Sequence, residues 1–245
     1  MKNIFCCSGG NDSVALIQWG HESKIKNITV IFNDTGWAIP WWSGRMKEIK
    51  ILCKKYKFRY KTTKSIGFKD MVRMKKGFPM AASKMQFCSG ILKTGPTNEW
   101  LDKNDPKYEA VLYVGIRRDE SQNRASHPRS IIADTRYKGR AMEFPLVEYT
   151  MKDRDFMIER SGVDILLHSS MECFPCVNSN RSDFRLLAKY PDRINEIADL
   201  EKEMGYTGKG KPRVMFRPYR HMGAIGIKEV VKWGLADRGK YEIDQ

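Results

Sequence analysis

The chain has 245 residues, 41% of them hydrophobic, enough for a full core in one large domain or in one domain with an appendage. No apolar run approaches the length of a membrane-spanning helix, and Met1-Lys2 leads straight into an apolar strand, so neither a membrane anchor nor a signal peptide is expected, and a cytoplasmic location is. Forty-four Lys and Arg against 29 Asp and Glu give a net charge of +15, more than solubility needs, which suggests a polyanionic partner.

Residues 2–7 read as a buried first strand, closing on Ile4-Phe5-Cys6-Cys7. A Ser8-Gly9-Gly10 turn follows, then a helix from Asp12 to Glu22. Strand, glycine turn and helix together form an anion site, because the glycines let the backbone approach a ligand and the helix N-terminus offers N–H groups and a positive dipole end. Ser8 and Ser13 add hydroxyl donors, and Asp12 stands where it can cap the helix or approach a metal ion. The loop has neither the Lys of G-x-x-x-x-G-K-[ST] nor the spacing of G-x-G-x-x-G.

A second strand over 26–33 ends at Asp34-Thr35-Gly36. Trp42, Met46, Ile49, Cys53 and Tyr56 then recur at helical spacing, and 58–63 is a third strand. This β-α-β-α-β order implies an α/β fold with a parallel, doubly wound sheet and ligands at the carboxyl ends of strands, where both Ser8–Ser13 and Asp34 fall. A carboxylate at Asp34 can accept hydrogen bonds from a ribose or help hold Mg²⁺, or simply cap a helix.

Residues 69–76 form a short basic helix, and Pro96 suits the start of another. A fourth strand over 109–114 leads into Gly115-Ile116-Arg117-Arg118-Asp119-Glu120-Ser121, where arginines can grip phosphates bidentately. Residues 143–149 read as extended, Thr150 caps a helix through Arg160, and 163–168 is apolar. Helices over 181–190 and through Met204, a basic loop over 205–211 and a last helix carrying Ile227, Val230 and Val231 complete the chain. The expected organisation is a nucleotide-binding domain over 1–150 and a helical, cysteine-containing extension over 151–245, with one continuous domain as the alternative.

The charge is clustered. Between Arg45 and Lys76 lie thirteen Lys and Arg with only Glu48 and Asp70 as acids. A second cluster is Arg117, Arg118, Arg124, Arg129, Arg136, Lys138 and Arg140, and a third is Lys209, Lys211, Arg213, Arg217 and Arg220. Such patches point to DNA or RNA, with solvated helix faces as the bland alternative. In a cytosolic protein the six cysteines are thiols or metal ligands rather than disulfides. Cys173-x-x-Cys176 can hold one metal between two thiolates, whereas Cys6, Cys7 and Cys53 read as buried structural thiols.

Ser8-Gly9-Gly10-Asn11-Asp12-Ser13 matches SGGxDS and resembles the pyrophosphate loop of the adenine nucleotide alpha-hydrolase superfamily, which includes the N-type ATP pyrophosphatases and the PAPS reductases. Phe32-Asn33-Asp34-Thr35-Gly36-Trp37 is similar to the F-x-D-T-G segment of PAPS-reductase-type proteins, and Gly115–Ser121 to their G-I-R-x-D-E-S loop. Phe87-Cys88 with Lys93 and Pro96 resembles the superfamily segment in which a Cys is followed by a Lys and a helix. The resemblance covers about the first two-thirds of the chain.

It implies a Rossmann-like, HUP-type, mostly parallel sheet. It implies ATP or another adenine nucleotide with Mg²⁺, held by Ser8, Gly9, Gly10, Asn11, Asp12, Ser13, Asp34, Thr35, Gly36, Gly115, Arg117 and Arg118. Asp12, Cys88 and Arg117 are the residues expected to take part in the chemistry. Cys88 becomes the third cysteine beside Cys173 and Cys176, a set that fits a [4Fe–4S] cluster with one iron left open. Zinc is the alternative, with His168, His221 or Cys53 as candidate fourth ligands.

Three functions follow. The first is an ATP-using enzyme that adenylylates a substrate for sulfur transfer, with a nucleic acid as acceptor and a sulfur-donor protein as partner; here the chain resembles the DNA phosphorothioation subunit of the PAPS reductase family more than the tRNA enzymes. The second is a PAPS or APS reductase, although Lys240–Gln245 lacks the E-C-G-x-H tail whose cysteine serves as nucleophile there. The third is a non-catalytic nucleotide- or nucleic-acid-binding protein.

Overall fold

A computed structural model describes residues 2–81, 85–216 and 226–236. In chain order the elements are β1 (Asn3–Cys7), α1 (Asn11–Glu22), β2 (Ile28–Asp34), α2 (Trp42–Lys55), β3 (Arg59–Lys64), α3 (Phe68–Lys75), α4 (Gly95–Asn104), β4 (Val111–Val114), β5 (Ser130–Asp134), β6 (Arg140–Glu143), α5 (Met151–Ser161), α6 (Arg181–Leu187), α7 (Pro191–Met204) and α8 (Ile227–Leu235). The chain divides into two compact units, Met1–Gly67 with Ser89–Cys173, and Phe68–Cys88 with Phe174–Gln245.

The first unit is a six-stranded sheet in the order β3-β2-β1-β4-β6-β5. All neighbours are parallel except β5 and β6. The apolar, β-branched run Ile28–Phe32 is buried throughout, as expected of a parallel strand covered on both faces. Ile4, Ile31, Leu101, Ala110, Leu112, Met142, Phe144 and Val147 form one core cluster. Strand order reverses at β1, which lies between β2 and β4, so the loops after β1 and β4 open at a topological switch point.

Helix α5 starts in a full capping box between Thr150 and Asp153 and packs against α1 in this first unit, although the sequence reading had placed it in the extension. In the second unit the ring of Phe184 on α6 stands edge-on to Phe216 and to Trp233 of α8.

Two local readings differ from the structure. Ser130–Asp134 is a strand that no sequence signal marked, and the extended segment expected over 143–149 is instead strand β6, ending at Glu143, followed by turns. Pro145 has no N–H for a ladder, and the chain folds back through Val147 N to Phe144 O and Tyr149 N to Leu146 O. The β5 signal is weak because its residues face the sheet edge and are mostly exposed.

Candidate nucleotide site

The loop after β1 is built as an open cradle. Gly9 has φ +82°, and a side chain there would strike the Met46 sulfur and the Trp42 ring of α2 at under 3 Å. The Ser8 N–H donates to Ser13 Oγ at 3.0 Å, and the two hydroxyls lie 3.1 Å apart. Gly10 caps α1 with extended backbone and no side-chain cap. The N–H groups of Ser13 and Val14 return to the Gly10 carbonyl, while those of Asn11 and Asp12 open the helix with no earlier helical carbonyl to reach. The positive end of α1 therefore faces the carboxyl edge of the sheet.

Gly115, at the end of β4, approaches the other side of the loop. A Cβ there would sit 2.5 Å from the Asp12 carbonyl oxygen, so only glycine fits without moving the backbone. Arg117 is buried, and its guanidinium bonds both Asp12 and Asp119. Burial works against its charge, but these carboxylates outweigh it and raise its pKa. Asp119 also accepts the Met151 N–H at 2.7 Å, tying this loop to the start of α5. Arg118 holds the His127 carbonyl and Glu148.

Several expected ligand side chains are committed to the chain itself. The Asn11 amide makes a two-way clasp with Leu166, donating at 2.8 Å and accepting at 2.9 Å. Asp34 accepts the Gly36 N–H at 3.0 Å. Thr35 is 1% exposed; its hydroxyl donates to the Glu172 carbonyl and accepts from Trp37 N–H and from the Cys173 thiol at 3.6 Å. The segment Met171–Cys173 is thus laid beside 35–39, with Ile39 N donating to Met171 O and a parallel bridge between Trp37 and Cys173.

Three side chains that the sequence reading did not assign support the cradle. Arg45, almost fully buried, donates to the Gly9 carbonyl at 3.2 Å and the Asp164 carbonyl at 2.8 Å. Ser170 donates to the Ser8 carbonyl at 3.1 Å. Lys93, on a π-helical turn over Gly90–Thr94, pairs with buried Glu172. Burial pushes the Glu172 carboxyl up, and Lys93 opposes that shift. Only Lys93 had a sequence signal, from its spacing after Cys88; Arg45 was hidden in a run of surface cations.

None of the six cysteines is in a disulfide. Burial pushes the Cys6 and Cys7 thiols up to about 12 and raises Cys53 as well, which fits their reading as structural thiols. Cys173 ends the first unit, while Cys88 and Cys176 belong to the second; all three are half-buried. Among the described residues no three His, Cys, Asp or Glu side chains are arranged to hold a metal. Mg²⁺ needs no such set, since nucleotide phosphates and water supply most of its ligands. His221, Arg217, Arg220 and Lys240–Gln245 lie outside the described residues. No described helix is long and apolar enough to cross a membrane.

The sequence profile of the phosphoadenosine phosphosulfate reductase domain matches residues 2–170. A 37.8 kDa uncharacterised protein of Escherichia phage 186 is 26% identical over 69% of this chain and 54% of its own length. An uncharacterised protein of Methanocaldococcus jannaschii is 29% identical over 50% of this chain and 24% of its own. The matched stretch therefore spans about half the length of one relative and about a quarter of the other. Among solved structures, the U34-tRNA thiolase of Methanococcus maripaludis with its [4Fe–4S] cluster is 17% identical, with TM-score 0.49 over 83% of this chain and 72% of that one. The Candida auris PAPS reductase in its phosphate complex is 15% identical, with TM-score 0.48 over 67% and 75%.

Proposed function

The chain belongs to the phosphoadenosine phosphosulfate reductase domain family, and on that premise we propose that it cleaves ATP to AMP and pyrophosphate, adenylylating an oxygen of a nucleic acid so that sulfur can replace it. The observation that carries this reading is the cradle itself: an α1 N-terminus without a side-chain cap, at the switch point, closed on by a glycine that tolerates no side chain.

The N–H groups of the loop and the hydroxyls of Ser8 and Ser13 would hold the β- and γ-phosphates. The acceptor oxygen attacks the α-phosphorus, the bond to the β-phosphate breaks, and pyrophosphate leaves with the electron pair. Charge grows on that leaving group, so fixed donors lower the barrier without acid–base help from a side chain. Arg117 holds Asp12 in place on the loop. A sulfide-level donor then attacks the activated atom, and AMP departs with the oxygen.

The same reading gives Cys88, Cys173 and Cys176 to sulfur handling, with a [4Fe–4S] cluster as the group they would hold and zinc as the alternative. The Cys173-x-x-Cys176 spacing and the free-thiol state of all three support it. Iron, sulfide and zinc assays after anaerobic purification test it on the wild type and on Cys88→Ala.

The deciding experiment follows ATP with a nucleic acid acceptor present. AMP and pyrophosphate should appear in equal amounts, and Asp12→Asn should slow both by roughly a hundredfold, the scale of a misplaced reacting group. ADP as product, or no turnover, sinks the reading. Reduction of PAPS to sulfite is the second reading, carried by the family match; sulfite release with a thiol donor tests it.

A further inference from the structure

The three basic clusters are not equivalent in the fold. Each member of the second is spent on a carboxylate: Arg117 on Asp12 and Asp119, Arg118 and Arg129 on Glu148, Arg124 on Glu120, Arg136 on Asp134, Lys138 on Asp102, and Arg140 on Asp105. The first cluster divides. Lys69 pairs with Glu196, and Arg73 with Asp70 and Glu203, within the second unit. Arg45 is buried under the loop, and it engages Glu48.

Ten cations of that cluster remain; setting aside Lys55, which donates to the Ser161 carbonyl, and Lys57, Lys75 and Lys76, which lie outside α2 and β3, six are left: Lys47, Lys50 and Lys54 of α2 and Arg59, Lys61 and Lys64 of β3. All six are exposed, and among the described residues none has a carboxylate partner. Lys47, Lys50 and Lys54 recur at i, i+3 and i+7 and share one helix face. β3 is the edge strand of the sheet and packs against α2. Its last residue, Lys64, is in register with Asp34 at the carboxyl edge. At the same end Trp41, 40% exposed, precedes the helix whose first residue, Trp42, lines the loop. Arg59 and Lys61 share one face of β3 and Lys64 takes the other, so the cations flank an edge roughly 20 Å long.

We infer that this α2–β3 edge is the nucleic-acid surface, with an unpaired strand laid along the six cations and a base stacked on Trp41 at the mouth of the nucleotide site. The inference rests on the adenylylation reading for what the strand does there, and on charge and placement for where it lies. The second cluster, internally neutralised, is excluded as the binding face. Lysines on an edge strand also deter sheet-to-sheet aggregation; that role alone predicts no strand binding.

The test is fluorescence anisotropy of the full chain with labelled single-stranded DNA and RNA of one mixed sequence, without ATP, across a salt series. Wild type should bind with a steep salt dependence. Lys47→Glu with Lys50→Glu and Lys61→Glu should weaken binding at least about tenfold and cut the log–log salt slope by roughly 2, the value for three lost single-strand phosphates. The charge-matched triple Arg124→Glu, Arg129→Glu and Lys138→Glu should change it less than about twofold. Trp41→Ala should cost single strands more than duplexes. Lys→Gln at the three first positions, checked by circular dichroism, covers a folding defect in the reversal.

Equal loss in the two triples would overturn the inference in favour of bulk charge, and so would the absence of salt-dependent binding by wild type. Because ATP is absent, strand binding by a protein that does not cleave ATP leaves this surface standing and removes only the adenylylation reading.

Discussion

Gly115 shows what one missing carbon does. Its Cα lies so near the Asp12 carbonyl that Gly115→Ala must push β4 and the loop apart, since backbone sits on both sides of the contact. Nucleotide affinity measured by titration calorimetry should fall about tenfold or more, because a shift near 1 Å at a phosphate cradle costs that much, while the circular dichroism spectrum stays unchanged. Asp105 carries a different burden. It accepts Arg140 Nε at 2.7 Å and the N–H groups of Glu109 and Ala110, and Arg140 is fully buried beneath Tyr108. Burial alone would raise the Asp105 pKa, but Arg140 and the two N–H donors bring it below the usual carboxylate value. A lowered folded pKa gives stability above the unfolded value near 4, lost as pH falls through the folded pKa. Asp105→Asn should cost about 3–5 kcal/mol at neutral pH by urea unfolding, with the difference from wild type shrinking toward pH 3.

The cysteines sort by the element that holds them. Cys6 and Cys7 lie on β1 and Cys53 on the inner side of α2, where burial keeps the thiols protonated far above neutral pH. Cys88, Cys173 and Cys176 lie outside strands; they are half-buried, as is Cys6, but they lack the strand that holds Cys6. Brief alkylation of the reduced, metal-free protein near neutral pH should modify Cys88, Cys173 and Cys176 first, leaving Cys6, Cys7 and Cys53 for the denatured chain; peptide mass mapping checks the order. The elements of the sheet were largely legible. Residues 2–7, 26–33 and 58–63 were read from continuous apolar or β-branched runs, and the α2 face from spacing. β5 was not, because an exposed edge strand carries little hydrophobic pattern, and its partner β6 is short and stops two residues before Pro145.

Among the described residues the charge is answered unevenly, since acids pair with the cations of the second cluster and leave the six of the α2–β3 edge without a carboxylate. If the strand on that edge feeds the loop, added single-stranded nucleic acid should raise AMP formation, and the stimulation should vanish as salt rises. The salt midpoint should match that of binding, because both depend on counterion release. Stimulation that survives high salt would separate the acceptor from this surface.

The sequence by itself determined the glycine loop and the mostly parallel sheet, because both rest on local patterns: a glycine turn between a strand and a helix, and periodic apolar residues. It also determined the family, through Ser8–Ser13, Asp34–Gly36 and Gly115–Ser121. Only the tertiary structure decided how those residues are used. Asn11 clasps Leu166 across 155 positions, Thr35 meets Glu172 across 137, and Arg45 reaches Gly9 across 36. Likewise, a run of charge looks the same in sequence whether or not folding brings a carboxylate to each cation. Contacts between residues so far apart leave no periodicity or spacing behind, since their cost and benefit appear only once the chain has closed around them.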